Sequence, residues 1–176
     1  YAKMDFAKNV QNFTVTDAGG KPLHWDKTTG SRWVVSTRGV RGVRIRYKSF
    51  DNLLSGTFSV LDTLHANWNG PSLFMYVAGH KQNPVTLAVT PPDGWQVMNG
   101  DTRTAGQRDY RFENYDRLID TPTEVAPAFL VDSFVVDGRK YRTMVHHNGA
   151  PPAGVRERFE RDVEKIVKYE NSVFSA

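Results

Sequence analysis

From Val10 to Val97 the chain passes through short apolar or alternating stretches, each closed by Gly, Pro, Asn or Asp, which is the rhythm of strands joined by tight turns. Phe13 and Val15 alternate with Thr14 and Thr16, and Asp17, Ala18, Gly19 and Gly20 follow as turn residues, so a hairpin is expected there. The same pattern predicts strands over residues 32–37, 42–48, 57–61, 72–77 and 84–90. The strongest local signal spans residues 128–147, where two long β-prone runs flank Asp137-Gly138, a dipeptide suited to a two-residue turn with both central φ angles positive. A long hairpin is predicted at that point.

The rhythm then changes. Residues 100–107 shift to Asp, Thr, Arg and Gly, which reads as a mobile loop inside one domain. After Ala150-Pro151-Pro152, the residues Val155, Phe159, Val163, Ile166, Val167 and Phe174 recur at helical spacing among Arg, Glu and Lys, predicting an amphipathic helix over 155–175. Two prolines stiffen the chain and stop the preceding strand, so residues 1–150 are expected to form a β-rich domain. Residues 151–176 then form a linker and the opening helix of whatever follows. The fold class predicted is mainly β, an antiparallel sandwich-like domain with one C-terminal helix.

Composition agrees with a folded core, since 39% of the residues are hydrophobic and 12% aromatic, more than disordered chains carry. The net charge of +4 does not make a nucleic-acid partner, because 23 basic residues are interspersed with 19 acidic ones. The densest basic run, Arg38, Arg41, Arg44, Arg46 and Lys48, alternates with Val43, Ile45 and Tyr47 and reads as the solvated face of a strand whose apolar residues turn inward. No stretch approaches the roughly 18 to 20 apolar residues of a membrane span, so no membrane partner is expected either. With no cysteine, disulfides and thiolate ligands are excluded, while the compartment stays open.

The familiar catalytic spacings are missing. There is no His-Glu-x-x-His, no Gly-x-Ser-x-Gly and no phosphate-cradling glycine loop. Of His24, His65, His80, His146 and His147, only the last two are neighbours, and adjacent strand residues point to opposite faces, so a metal shared by that pair is not expected. Asp116, Asp120 and Glu124 form the one compact acidic group, a conceivable glycosidase pair whose separation sequence cannot give. Trp25, Trp33, Trp68 and Trp95 suit either a core or a sugar-stacking face.

Three segments carry a more specific signal: FAKNVQNFTVTDAGGKPLHW, NWNGPSLFMYVAGHKQNPVTLAVTPPDGWQV, and YDRLIDTPTEVAPAF followed by FVVDGRKYRTMVHH. In this order and at these spacings they resemble the N-terminal domain of the glycyl aminopeptidase family of zinc metallopeptidases, whose members show an aromatic-Asp-x-Leu-x-Asp-x-Pro-x-Glu segment ahead of a Gly-centred hairpin. Here that segment is Tyr115 to Glu124. The resemblance implies a parent enzyme whose zinc sits in a following thermolysin-like domain bearing His-Glu-x-x-His, often with a PDZ-like module beyond it. It implies no cofactor in this fragment, a non-catalytic role beside the substrate cleft, and Tyr1 as an internal start. The implied partners are the following catalytic domain and the parent's peptide substrate. An aminopeptidase must hold a free α-amine, and a carboxylate lent by a neighbouring domain suits that task, so Asp120 and Glu124 are the candidate substrate-binding residues. Structural alternatives are that Asp120 shapes the turn before Pro122 and that Glu124 pairs with an arginine. From a different class, a free-standing carbohydrate-binding or adhesive sandwich would use the tryptophans as its contact surface.

Overall fold

In the computed structural model, which describes residues 4–100, 108–147 and 149–174, short strands dominate. In chain order they are β1 (Val10–Asp17), β2 (Trp25–Thr29), β3 (Arg32–Val35), β4 (Val43–Ser49), β5 (Val60–Leu61) and β6 (Ala66–Trp68). After the short helix α1 (Gly70–Leu73) come β7 (Val85–Ala88), β8 (Gln96–Asn99) and β9 (Asp109–Phe112). Helix α2 (Tyr115–Ile119) precedes β10 (Thr123–Ala126), β11 (Leu130–Val136) and β12 (Arg139–Val145), and α3 (Val155–Phe174) comes last. All registered pairings among the described residues are antiparallel: β1 with β4, β2 with β3, β7 with β9, β11 with β12, and a four-stranded sheet in the order β5-β6-β10-β8. The expected class, antiparallel β with a C-terminal amphipathic helix, is the observed one. The mobile loop read from residues 100–107 falls, beyond Gly100, outside the described residues.

The core lies where the four-stranded sheet, the β7–β9 pair and α2 meet. Val97, Tyr110, Phe112, Tyr115, Leu118 and Val125 are buried together, and Trp68, Trp95, Phe74 and Leu87 pack against them. Alternation explains much of this, since Tyr110 and Phe112 in β9 face inward while Asp109 and Arg111 face out. A smaller aromatic cluster joins the first strands. Phe13 sits edge-on to Trp25 with ring centroids 4.8 Å apart and stacks on Trp33 at 5.1 Å, and the Lys27 ammonium covers the Trp33 ring at 4.7 Å. All four tryptophans are thus half-buried in packing roles, which takes from a sugar-binding reading the flat exposed indole faces it requires.

Several elements depart from the sequence expectation. The turn after Asp17 forms, with Gly20 at φ +89° and the Gly20 N–H donating to the Asp17 carbonyl, but it returns only a single bridge from Thr16 to Pro22. The long partner of β1 is β4, and a bulge at Asn12, whose φ is 52°, adjusts their register. Val43 and Ile45 stay 41% and 37% exposed instead of turning inward, while Tyr47 does turn in and donates its hydroxyl to the Leu73 carbonyl at 2.7 Å. Residues 72–77 do not form a strand. Asn69-Gly70-Pro71 opens a helical turn there, proline's fixed φ being suited to a first turn. The predicted 57–61 strand shrinks to β5.

The Asp137-Gly138 hairpin is as expected, with φ values of 50° and 75° at its two turn residues. Helix α3 leans on β11 through polar contacts. Arg156 donates to the Asp132 carboxylate, and Asn171 donates to Asp137 at 3.1 Å and to the Tyr141 hydroxyl at 3.3 Å. The apolar stripe is divided: Val163 and Val167 are half-buried on the side that carries Arg156 and Asn171, while Phe159, Ile166 and Phe174 face away and are 46%, 56% and 85% exposed.

Candidate functional site

The one group of potential metal-binding side chains among the described residues is His65, Glu124 and His146, drawn from three separate segments. Each reaches the site for a local reason. Asp62 accepts the backbone N–H groups of Leu64 at 2.7 Å and His65 at 2.9 Å on one carboxylate oxygen, folding the β5–β6 connection so that His65 enters β6 pointing across the sheet. Those two backbone donors, Leu64's first, hold the Asp62 carboxyl below the usual range. In β10, Glu124 sits directly opposite Asn67 of β6, while Thr123, Val125 and Ala126 around it are buried. His146 follows the last residue of β12.

The geometry is tight. Glu124 Oε1 lies 2.7 Å from His65 Nδ1 and 3.6 Å from His146 Nδ1, and its other oxygen accepts from Asn67 Nδ2 at 2.7 Å. The far nitrogen of His65, Nε2, faces Asp62 Oδ2 at 3.4 Å. The two imidazoles stack with centroids 4.6 Å apart, and Phe129 closes the outer side with its ring edge-on to His146 at 6.4 Å. The three side chains retain 13%, 23% and 16% of their exposure, so the cluster is largely shielded yet open on one side. As the cluster stands, His65 Nδ1–H donates to the Glu124 carboxylate, and the three side chains together are a donor set of the kind that metal ions use.

The candidate acidic residues have different surroundings. Asp116 pairs with Lys81 at 3.6 Å, Asp120 ends α2 exposed, and Glu124 turns to histidine and asparagine rather than to an arginine. His146 and His147 lie just beyond the end of β12, and His146 stacks on His65. Sequence reasoning missed His65. Its signal was the His65-x-Asn67 alternation, which places both side chains on the face that Glu124 also occupies.

A family model described as the Peptidase M61 N-terminal domain matches residues 1–127. Among solved structures, a crystal structure described as an aminopeptidase N family protein from Idiomarina loihiensis aligns with a TM-score of 0.82 at 25% identity. The alignment covers 97% of this chain but 29% of that one, so the chain spans less than a third of the neighbour's length. No curated protein matches.

Proposed function

The chain belongs to the M61 peptidases through their N-terminal domain, and from that premise we propose that it is the non-catalytic N-terminal domain of a zinc-dependent aminopeptidase, flanking the substrate cleft of a separate thermolysin-like domain. The observation that carries this reading is the outward-facing part of the apolar stripe of α3. Phe159, Ile166, Val173 and Phe174 stand exposed on a helix whose opposite side already rests on β11, and leaving such side chains in water costs on the order of 1.5 to 3 kcal/mol each. A helix built this way opens a further domain that covers the stripe. On this reading residues 1–150 are the N-terminal domain and residues 151–176 are a linker and the opening helix of the next one.

Zinc in such an enzyme polarises the scissile carbonyl and activates a water. This chain's contribution is positional. Asp120, exposed at the end of α2, is the first candidate for holding the substrate's α-amine, since an ammonium can approach it without disturbing packing. Glu124 is the second, and it would give up its hydrogen bond to His65 to do so.

The direct test is the isolated 176-residue chain assayed on glycyl and alanyl p-nitroanilides, with and without added zinc. We expect no turnover above the uncatalysed rate. Zinc-dependent hydrolysis by this chain alone would overturn the reading.

A further inference from the structure

We propose that His65, Glu124 and His146 form a divalent transition-metal site, with zinc as the reference ion, which clips the end of the β11–β12 hairpin to the four-stranded sheet. The donor set points to this class of ion. Imidazole nitrogens with one carboxylate oxygen suit zinc and its neighbours, whereas calcium and magnesium take oxygen ligands. The spacing suits it as well. Zinc–nitrogen and zinc–oxygen bonds of about 2.0–2.2 Å in a tetrahedral arrangement separate donor atoms by about 3.3–3.6 Å. Here the carboxylate-to-imidazole separations of 2.7 and 3.6 Å bracket that range, and all three donor atoms lie within 4.8 Å of one another. Small side-chain rotations bring them onto one ion.

The surroundings are those of a metal site as well. His65 Nδ1 donates its proton to Glu124 as the site stands; an incoming ion displaces that proton, and Asp62, facing Nε2, keeps the ring's remaining proton on the far nitrogen. Asn67 holds the second Glu124 oxygen and so aims the first at the histidines. Phe129 shields the His146 side, and a fourth position remains for water or a ligand on the open side. Unlike a helical His-Glu-x-x-His, these ligands come from segments far apart in sequence, His65 and Glu124 being 59 residues apart. Binding therefore constrains tertiary structure and releases whatever protons the imidazoles hold.

The experiment uses the 176-residue chain stripped with a chelator, titrated with zinc by calorimetry and with cobalt by visible absorption, beside thermal melts. We expect one zinc per chain, a rise in Tm, and the visible band of low-coordinate cobalt. Glu124→Gln, His65→Gln and His146→Gln should each weaken binding by about 100-fold or more, and Asn67→Ala by about 10- to 100-fold. His24→Gln and His80→Gln, exposed and outside the cluster, should leave it unchanged. Should Glu124→Gln prove unfolded by circular dichroism, His146→Gln, which alters a residue outside any strand, decides. The site is overturned by absence of zinc uptake, by uptake that survives the cluster variants, or by equal loss in the His24 and His80 controls. The inference stands apart from the non-catalytic reading: zinc uptake without turnover supports both, and uptake with turnover sinks that reading alone. Absence of both sinks the site alone.

Discussion

Gly70→Ala is expected to destabilise the domain by about 1 to 3 kcal/mol, or more, although alanine is the better helix former by about 1 kcal/mol. A Cβ at this position would stand 2.4 Å from Ile119 Cα and 3.0 Å from its carbonyl oxygen, so α1 and α2 approach here backbone against backbone. No side-chain rotation relieves such a contact. One helix has to move, and α2 cannot move alone because Tyr115 and Leu118 anchor it in the core. Chemical denaturation followed by tryptophan fluorescence should show a lowered midpoint at unchanged slope, the signature of lost stability without a change in surface exposed. A gain in stability would mean that the two helices do not meet at this glycine.

That contact also marks the limit of what the sequence disclosed. The hairpin at Asp137-Gly138 and helix α3 were legible because each rests on local chemistry: two positive φ angles in one case, a seven-residue recurrence of apolar side chains in the other. Strands β6, β8, β9 and β10 run three or four residues each, too short for periodicity to stand above chance. Their existence depends on partners, as with Glu124 opposite Asn67 and Met98, and partners are not local information. Residues 72–77 show the converse error, an apolar run that reads as a strand until Asn69-Gly70-Pro71 is recognised as a helix start.

The site divides in the same way. Glu124 was legible through the Tyr115-to-Glu124 motif, and a charged residue within Thr-Glu-Val-Ala already asks for a buried partner. Nothing in its own neighbourhood names that partner as histidine. His65 and His146 sit on either side of Glu124 in sequence, and only the β6–β10 register and the return of β12 bring them within reach. The proposed metal site is thus a product of topology, whereas the exposed stripe of α3, on which the proposed role rests, is already written in the helical repeat.

Truncating Tyr115 should have the largest effect of any single core change, with Tyr115→Ala costing about 3 to 5 kcal/mol, the range for deleting a buried aromatic ring. The ring lies among Val97, Phe112, Leu118 and Val125, and its hydroxyl donates to the Phe74 carbonyl at 2.7 Å. Tyr115→Phe keeps the ring and loses the hydrogen bond, so at neutral pH it should cost only about 1 kcal/mol. Alkali separates the two contributions. Burial, reinforced by the nearby Tyr76, Tyr47 and Asp116, pushes the Tyr115 phenol up to about 12, against about 10 in an unfolded chain. The folded state therefore resists ionisation that the unfolded state accepts. The stability linked to this group is intact below pH 10 and is lost as pH rises towards 12, by at most about 2 kcal/mol after allowance for partial solvent screening. Phenylalanine has nothing to ionise. The stability gap between the native chain and Tyr115→Phe, measured by urea unfolding at neutral pH and again above pH 11, should accordingly narrow or reverse in alkali. Tyr110, whose hydroxyl is also raised by burial but which is no cause of the Tyr115 shift, cancels from that difference, whereas Tyr47 is coupled to Tyr115 and its ionisation is part of what the comparison reads. A gap that stays constant across the alkaline range would place the Tyr115 hydroxyl in water and remove it from the centre of the core.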